Sequence, residues 1–300
     1  MIRFGKIAVI AISILVAMVS CERDSDPAEN AGMIKLYLTD APLDTDGITG
    51  VFITFTEIHY HTPDNSWQVF DEFDEPVTIN LLDLTRGETE LLGFFELQPG
   101  TYTQLRFMLE APERGQGPPF TPGAYLEFED GSTQNLFVPS GSASGFKAIG
   151  RFDVPANGII EVTADFDVRR SVVRAGNSGK YILKPTIRLV ANDQAGRIRG
   201  EVLNIPDNMG VVVYAYESGT YTDSEADEPG DEEIRFSNAV NSDMVSADNQ
   251  YHIDFLLAGY YDLVVVATQN GEFFEVLGLV EEVEVVAGQT TTLDIDIEEL

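Results

Sequence analysis

Gly32-Met33-Ile34-Lys35-Leu36-Tyr37-Leu38-Thr39-Asp40-Ala41-Pro42 sets the reading of the whole chain. Ile34, Leu36 and Leu38 alternate with Lys35, Tyr37 and Thr39, and a period of two puts the first set on one face of a strand and the second on the other. The run predicts a half-buried strand that ends in the turn Asp40-Ala41-Pro42. Val51, Ile53 and Phe55 then share a face, and after Thr56 the apolar positions move to Ile58 and Tyr60. A β-bulge produces that change of parity. Further strands are expected at Trp67 to Phe70, Val77 to Leu81, Tyr102 to Leu109, Ala124 to Phe128, Asn135 to Val138, Ile159 to Val168 and Tyr181 to Val190. About nine strands with turns every 8 to 12 residues suit a sandwich. Ala111 to Pro122 carries four prolines and two glycines and reads as a surface loop.

Asn192 to Gly196 is a polar junction. Beyond it, strands are expected at Arg197 to Leu203, Val211 to Tyr216, Tyr251 to Leu257, Tyr261 to Ala267, Phe273 to Val280 and Val283 to Val286. Thr290 to Ile297 alternates cleanly to the end. The chain therefore divides into an N-terminal domain, 32–192, and a smaller C-terminal domain, 196–300. The fold class is all-β, with two β-sandwich domains of Ig-like or prealbumin-like build. Leu97-Gln98-Pro99-Gly100-Thr101-Tyr102 and Leu256-Leu257-Ala258-Gly259-Tyr260-Tyr261 share the pattern L-x-x-G-x-Y before an apolar strand. In a tyrosine corner such a ring packs while its hydroxyl bonds back to the chain.

The N-terminus adds an address. Arg3 and Lys6 precede an apolar run from Ile7 to Val19, and Ser20 stands before Cys21, the only cysteine. This is the three-part layout of a signal peptide, over 1–20. The run is about 13 residues, roughly 20 Å of helix, too short for a ~30 Å hydrocarbon core. Met18-Val19-Ser20-Cys21 resembles the bacterial lipobox, with Met18 where Leu is commonest. The resemblance implies lipid on Cys21 and a membrane held as partner through it. Residues 21–31 read as a lipidated tether, on the order of 17 Å long. The acidic residues after Cys21 resemble export tags on surface lipoproteins of the Bacteroidota, although Arg23 interrupts them. The expected location is the bacterial outer membrane, on either its surface or its periplasmic face.

Six ordered blocks carry a second resemblance. They are Leu38-Thr39-Asp40-Ala41-Pro42, Asn80-Leu81-Leu82-Asp83-Leu84, Pro99 to Arg106, Val138-Pro139-Ser140-Gly141 leading to Gly145-Phe146-Lys147, Asp165-Phe166-Asp167 with Ser171-Val172-Val173, and Leu183 to Ile187. Together they resemble the bacterial lipoprotein family catalogued as domain of unknown function 4382, over about Gly32 to Ala191. The resemblance implies an envelope β-sandwich without an assigned activity. The second domain resembles prealbumin-like and carboxypeptidase-regulatory-like modules in its strand rhythm.

Composition excludes several functions. With 18 Lys and Arg against 50 Asp and Glu, the formal charge is −32, which argues against nucleic acid as a partner. Such acidity serves solubility or, alternatively, divalent-cation binding. With one cysteine, no disulfide forms within the chain. In Gly141-Ser142-Ala143-Ser144-Gly145 the central residue is Ala143, so a G-x-S-x-G elbow is missing. No spacing places His59, His61 or His252 beside a serine, and no enzyme is expected, a polysaccharide-active hydrolase being the least favoured reading. Asp223 to Glu233 fails the EF-hand pattern, with Glu228 where glycine is needed and Ile234 where glutamate is needed, and reads as a solvated acidic loop.

Binding candidates remain. His59, His61 and Glu57 share a strand face, as metal ligands would. Asp40, Asp44 and Asp46 fall in one loop and Asp165 and Asp167 on one strand face; these five are the calcium candidates. The alternative has Asp40 capping its own turn and Asp165 facing Arg169 or Lys184. Trp67 and Phe70 in an acidic stretch, and Tyr214 and Tyr216 on one strand face, are the candidate ligand-binding aromatics, because sugars stack on exposed rings. The leading expectation is a non-enzymatic envelope lipoprotein that recognises a glycan or an envelope protein and needs no cofactor. A calcium-dependent structural or adhesive component is the alternative.

Overall fold

In a computed structural model of the chain, the described residues are 30–41, 47–62, 66–110, 123–139, 145–175, 179–230 and 233–300. The signal peptide, Cys21, most of the tether, Asp44, Asp46, the proline-rich loop and Gly141 to Ser144 lie outside them.

The first domain contains β1 (Gly32–Ala41), β2 (Ile48–His61), β3 (Trp67–Asn80), β4 (Glu90–Leu97), β5 (Gly100–Glu110) and β6 (Tyr125–Phe128). It continues with β7 (Thr133–Phe137), β8 (Phe146–Val154), β9 (Ile159–Asp167), β10 (Val172–Arg174), β11 (Tyr181–Leu183) and β12 (Ile187–Ala191). Alternation alone predicts about nine strands; the described residues form twelve. β4, β8 and β10 lie outside the strands that alternation predicts, and Tyr181 to Val190 divides in two around Lys184 and Pro185, where proline cannot donate to a ladder. Conversely, Trp67 to Phe70 and Val77 to Leu81 belong to one strand, β3.

All twelve join one continuous sheet, in the order β10-β11-β7-β6-β2-β5-β8-β12-β9-β1-β4, with β3 on the free side of β2. The sheet wraps a single core. Ile34, Leu36 and Leu38 are fully buried in it, as their alternation predicts, and each stabilises the fold by about 2 kcal/mol. The parity change in β2 is a bulge: the register against both β3 and β5 shifts between Phe55 and Glu57. Phe55 and Ile58 both reach the core because of it. Where the sheet comes round on itself, Phe70 of β3 meets Phe95 of β4 with ring centroids 4.2 Å apart.

The second domain contains β13 (Ala195–Leu203), β14 (Gly210–Glu217), β15 (Asn241–Met244), β16 (Gln250–Leu257), β17 (Gly259–Gln269), β18 (Glu272–Val285), β19 (Thr290–Thr292) and β20 (Ile295–Asp296). One sheet runs β16-β13-β19 with β20 also on β13, and the other runs β15-β14-β17-β18. Ile198, Val202, Tyr251 and Ile253 pack against Val211, Val213, Leu263 and Val265 between them. Both predicted tyrosine corners are present. Tyr102 Oη donates to Gln98 O at 2.9 Å, and Tyr261 Oη to Leu257 O at 2.8 Å.

Two arginines of the first domain reach into the second. Arg86 donates from Nη2 to Met244 O (2.9 Å) and Gln250 O (3.1 Å), and its Nε lies 3.4 Å from Asp243 Oδ2. It sits at φ 61° in a turn with Gly87, φ 81°. A Cβ on Gly87 would come within 2.8 Å of Asp254 Cγ, so that glycine permits the contact. The second arginine, Arg169, lies on a single helical turn, α1 (Val168–Ser171), and donates to Phe236 O at 2.8 Å.

Candidate functional site

The outer face of the β3-β2-β5-β8 part of the sheet presents the candidate site. Leu105, Phe107 and Leu109 of β5 point into the core, so Arg106 and Met108 point out. Register then places His59 opposite Arg106, Arg106 opposite Lys147, and His61 opposite Trp67. Trp67 is half-buried, with Arg106 Cζ 4.0 Å and Lys147 Nζ 6.0 Å from its ring centroid. His61 meets the indole edge-on at 4.9 Å. A guanidinium at that distance holds a ring by about 0.5–2 kcal/mol, depending on how dry the contact is. Arg106 Nε is shielded from solvent and has no hydrogen-bond partner. Among the described residues neither Arg106 nor Lys147 forms an ion pair with a carboxylate.

Gly145, at φ 58°, lets β8 begin this close to β5. A Cβ there would come within 2.9 Å of both Arg106 Cγ and Phe107 O. His59 Nε2 lies 2.6 Å from Glu57 Oε2. Together the face offers an apolar ring, two cations, an imidazole and the exposed apolar side chains of Val69 and Ile149. Such a surface can stack a ring and pair with an acid group at once.

The other predicted aromatics are core. Phe70 packs edge-on against Tyr60 and against Phe95, helping to close the sheet. Tyr214 and Tyr216 do share a face of β14, but that face is covered. The segment after β14 folds back over it, bringing Phe236 into a stack on Tyr214 at 4.5 Å and Tyr221 edge-on to Tyr216 at 5.2 Å. Tyr216 Oη donates to Glu225 Oε2 at 2.9 Å. Burial and this bonded carboxylate push the Tyr216 hydroxyl well above the usual phenol range. Asp223, Asp227, Glu228 and Glu233 stay exposed, as a solvated loop predicts, while Glu225 and Ala226 turn inward and the chain that follows forms a lid, bringing Phe236 and Ala239 onto a second small core with Tyr214, Tyr216, Val264 and Val266. Phe236, three residues past the acidic run, was the available signal.

The aspartates are also committed elsewhere. The turn that Asp40 is expected to cap runs into residues outside the described ones; Asp40 Oδ1 accepts from Val168 N at 3.0 Å. Burial holds its carboxyl well above the usual carboxylate range despite that bond. Asp165 pairs with Arg188 rather than Arg169 or Lys184, and burial raises its carboxyl while Arg188 opposes the rise. Asp167 caps α1 by accepting from Arg170 N at 2.9 Å and lies 3.4 Å from Arg169 Nη2. Amides and guanidiniums thus hold Asp40 Oδ1, Asp165 Oδ2 and both oxygens of Asp167, while Asp40 Oδ2 and Asp165 Oδ1 are buried without a hydrogen-bond partner. Among the described residues no three metal-ligating side chains converge.

Fold and face together define an all-β protein of two packed domains, with one indole set between two cations on an outer sheet face. The chain belongs to the family described as "Domain of unknown function (DUF4382)", whose model matches residues 31–185, just over half of it. No curated protein matches the sequence. Among solved structures, the minor pilin of Streptococcus agalactiae is similar at 12% identity over 87% of this chain and 94% of that one, with a TM-score of 0.23. The shaft pilin of Lactobacillus rhamnosus GG is similar at 9% identity over 89% and 96%, with a TM-score of 0.23. The Bacillus anthracis TIE protein is similar at 12% identity over 89% of this chain and a TM-score of 0.22, and there the match spans only 34% of that protein. None of these likenesses bears on what this chain binds.

Proposed function

We propose that this protein is a non-enzymatic recognition module of the bacterial cell envelope, held at the outer membrane by lipid on Cys21, that takes an acidic glycan on the sheet face around Trp67. One observation carries the reading. Of the four predicted aromatics, Trp67 alone combines partial exposure with flanking cations, Arg106 and Lys147. A pyranose ring would stack on the indole while a uronate carboxylate met the guanidinium and ammonium. The net charge of −32 does not forbid this, because charges beyond about 8 Å are screened at physiological salt while the two cations act at contact.

The test is binding of the full chain, purified in detergent, to uronate-containing and neutral polysaccharides. Trp67→Ala should weaken uronate binding at least about tenfold, as truncation of a central aromatic anchor does. Arg106→Gln should narrow the preference for acidic over neutral polymers. Saturable binding that survives both substitutions, or no binding to any polymer, would remove this face as the site.

A further inference from the structure

We propose a second site, independent of the Trp67 face: a small-oxyanion site clamped between the two domains by Arg169 and Arg235. A cavity of about 150 Å³ lies where α1 of the first domain meets the lid segment of the second, lined by Arg169, Tyr214, Arg235, Phe236, Thr268 and Phe273. At ~30 Å³ per water it has room for about five, enough for one tetrahedral or planar oxyanion with solvent.

Among the described residues that line the cavity, the charged side chains are two arginines. Arg169 is 7% exposed, and a buried guanidinium needs compensation for its lost hydration. Its Nη1 donates to Phe236 O (2.8 Å) and Arg235 O (3.3 Å), and its Nη2 lies 3.4 Å from Asp167 Oδ2. Its Nε is buried with no partner. Asp167 is divided, because Arg170 Nε stands 3.8 Å from the same oxygen. Two guanidiniums therefore share one carboxylate. The nearby Asp165 is matched by Arg188, and Asp40 turns Oδ1 to the Val168 amide.

Arg235 adds a further charge. It gives Nε to Ala226 O at 3.0 Å and lies 4.6 Å over the Phe273 ring, with no carboxylate partner among the described residues. A guanidinium has five N–H donors in a planar fork that fits carboxylate and phosphate oxygens. Both arginines thus line the cavity with donors to spare. The Thr268 hydroxyl offers another, and the rings of Tyr214, Phe236 and Phe273 keep the surroundings apolar, where a charge-assisted bond is strongest.

The chemical class of ligand is a small oxyanion: inorganic phosphate, sulfate or a simple carboxylate. Because Arg169 belongs to the first domain and Arg235 to the second, the bound ion would join them, and binding would raise the temperature at which they separate.

The experiment is calorimetric titration of the full chain with sodium phosphate, sulfate and acetate, at ionic strength held constant with sodium chloride, alongside thermal unfolding. Saturable binding of one ion per chain is expected, with a rise in Tm. The strongest of the three probes identifies the oxyanion geometry the cavity prefers. Arg235→Gln should weaken affinity at least tenfold, Thr268→Val by a smaller factor, and Arg151→Gln, on the open sheet face, not at all. If Arg235→Gln fails to fold, Thr268→Val carries the comparison. No saturable binding of any probe at millimolar concentration, or binding equal in wild type and both cavity variants, would overturn the proposal.

Discussion

Phe236→Ala tests whether the segment that returns over β14 is part of the folded core. Phe236 is 1% exposed, stacked on Tyr214 and tilted against Phe273 at 5.8 Å. A buried aromatic covers about 150–250 Å², worth about 4–6 kcal/mol at ~25 cal/mol/Å². That range is an upper bound, because the unfolded chain already hides part of the ring. Collapse of Tyr221 and Ala226 toward the gap would recover some of the loss, leaving about 3 kcal/mol, at the low end for Phe→Ala truncations. Trp67 is the only tryptophan and lies in the first domain, so indole fluorescence follows that domain while far-UV circular dichroism follows both. With a slope near 2 kcal/mol/M in urea, the transition of the second domain should move down by about 1.5 M. The fluorescence transition should move less, only as far as the loosened segment pulls the Phe236 and Arg235 carbonyls away from Arg169. A shift in the dichroism midpoint under about 0.3 M would mean that Phe236 covers nothing of energetic consequence, and the reasoning about the lid would fail.

Three further outcomes follow from the geometry. Burial raises the Asp243 carboxyl to about 6, against the pull of His252 N–H and Arg86. The folded state therefore holds this proton more tightly than the unfolded chain does, and stability on its account falls as pH rises from about 4 through about 6. Asp243→Asn should flatten the Tm profile across that window, whereas a profile as steep as wild type would rule Asp243 out as a cause; Asp40 and Asp165, raised in the same direction, supply what slope remains. Tyr102→Phe and Tyr261→Phe should each cost about 1 kcal/mol in urea unfolding by deleting the corner hydrogen bond while keeping the ring; no loss in either would make those hydroxyls dispensable. Asp165→Ala should destabilise the first domain by about 1–3 kcal/mol, because Arg188, 24% exposed, loses a charge-assisted hydrogen bond to a buried carboxylate. A variant as stable as wild type in the fluorescence transition would show that Arg188 finds water instead.

What could be read from the sequence was what short-range period and local chemistry encode. Ile34, Leu36 and Leu38 marked the inner face of β1, and the move from Phe55 to Ile58 marked a bulge because a one-residue insertion must invert the pattern. The L-x-x-G-x-Y pairs located both tyrosine corners, since the ring and its acceptor lie four residues apart. Contacts across distant parts of the chain were not legible. Tyr214 and Tyr216 alternate as surface residues of a one-sided sheet would, and only the return of Phe236 shows that the sheet is buried on both sides. Phe70 had the composition of a surface aromatic, yet its partner Phe95 lies on a strand whose Glu90–Leu97 pattern is irregular. At the candidate site, the local sequence singled out Trp67. The cations beside it come from β5 and β8, brought there by register, which one strand read alone does not reveal. Likewise Arg188, the partner of Asp165, stands on β12, whereas Arg169 falls on α1 and Lys184 in the break between β11 and β12.

The pairing of β1 bears on how the first domain comes to exist at all. β1 lies between β4, its antiparallel neighbour, and β9, its parallel one, with Met33 opposite Ile159 and Ala41 opposite Asp167. Lys35 and Glu161, bonded across that ladder, are 126 positions apart in the chain. The strand made first can complete its pairing only after most of the domain has been synthesised, and closing so long a loop must precede the reward of the contacts. Folding in milliseconds to seconds is expected, rather than the microseconds of a helical bundle. Throughout that interval Ile34, Leu36 and Leu38 stand on an unpaired apolar edge. The nascent chain would be at its most aggregation-prone then, and a holdase that binds 32–41 would act on the step that limits the yield of native protein.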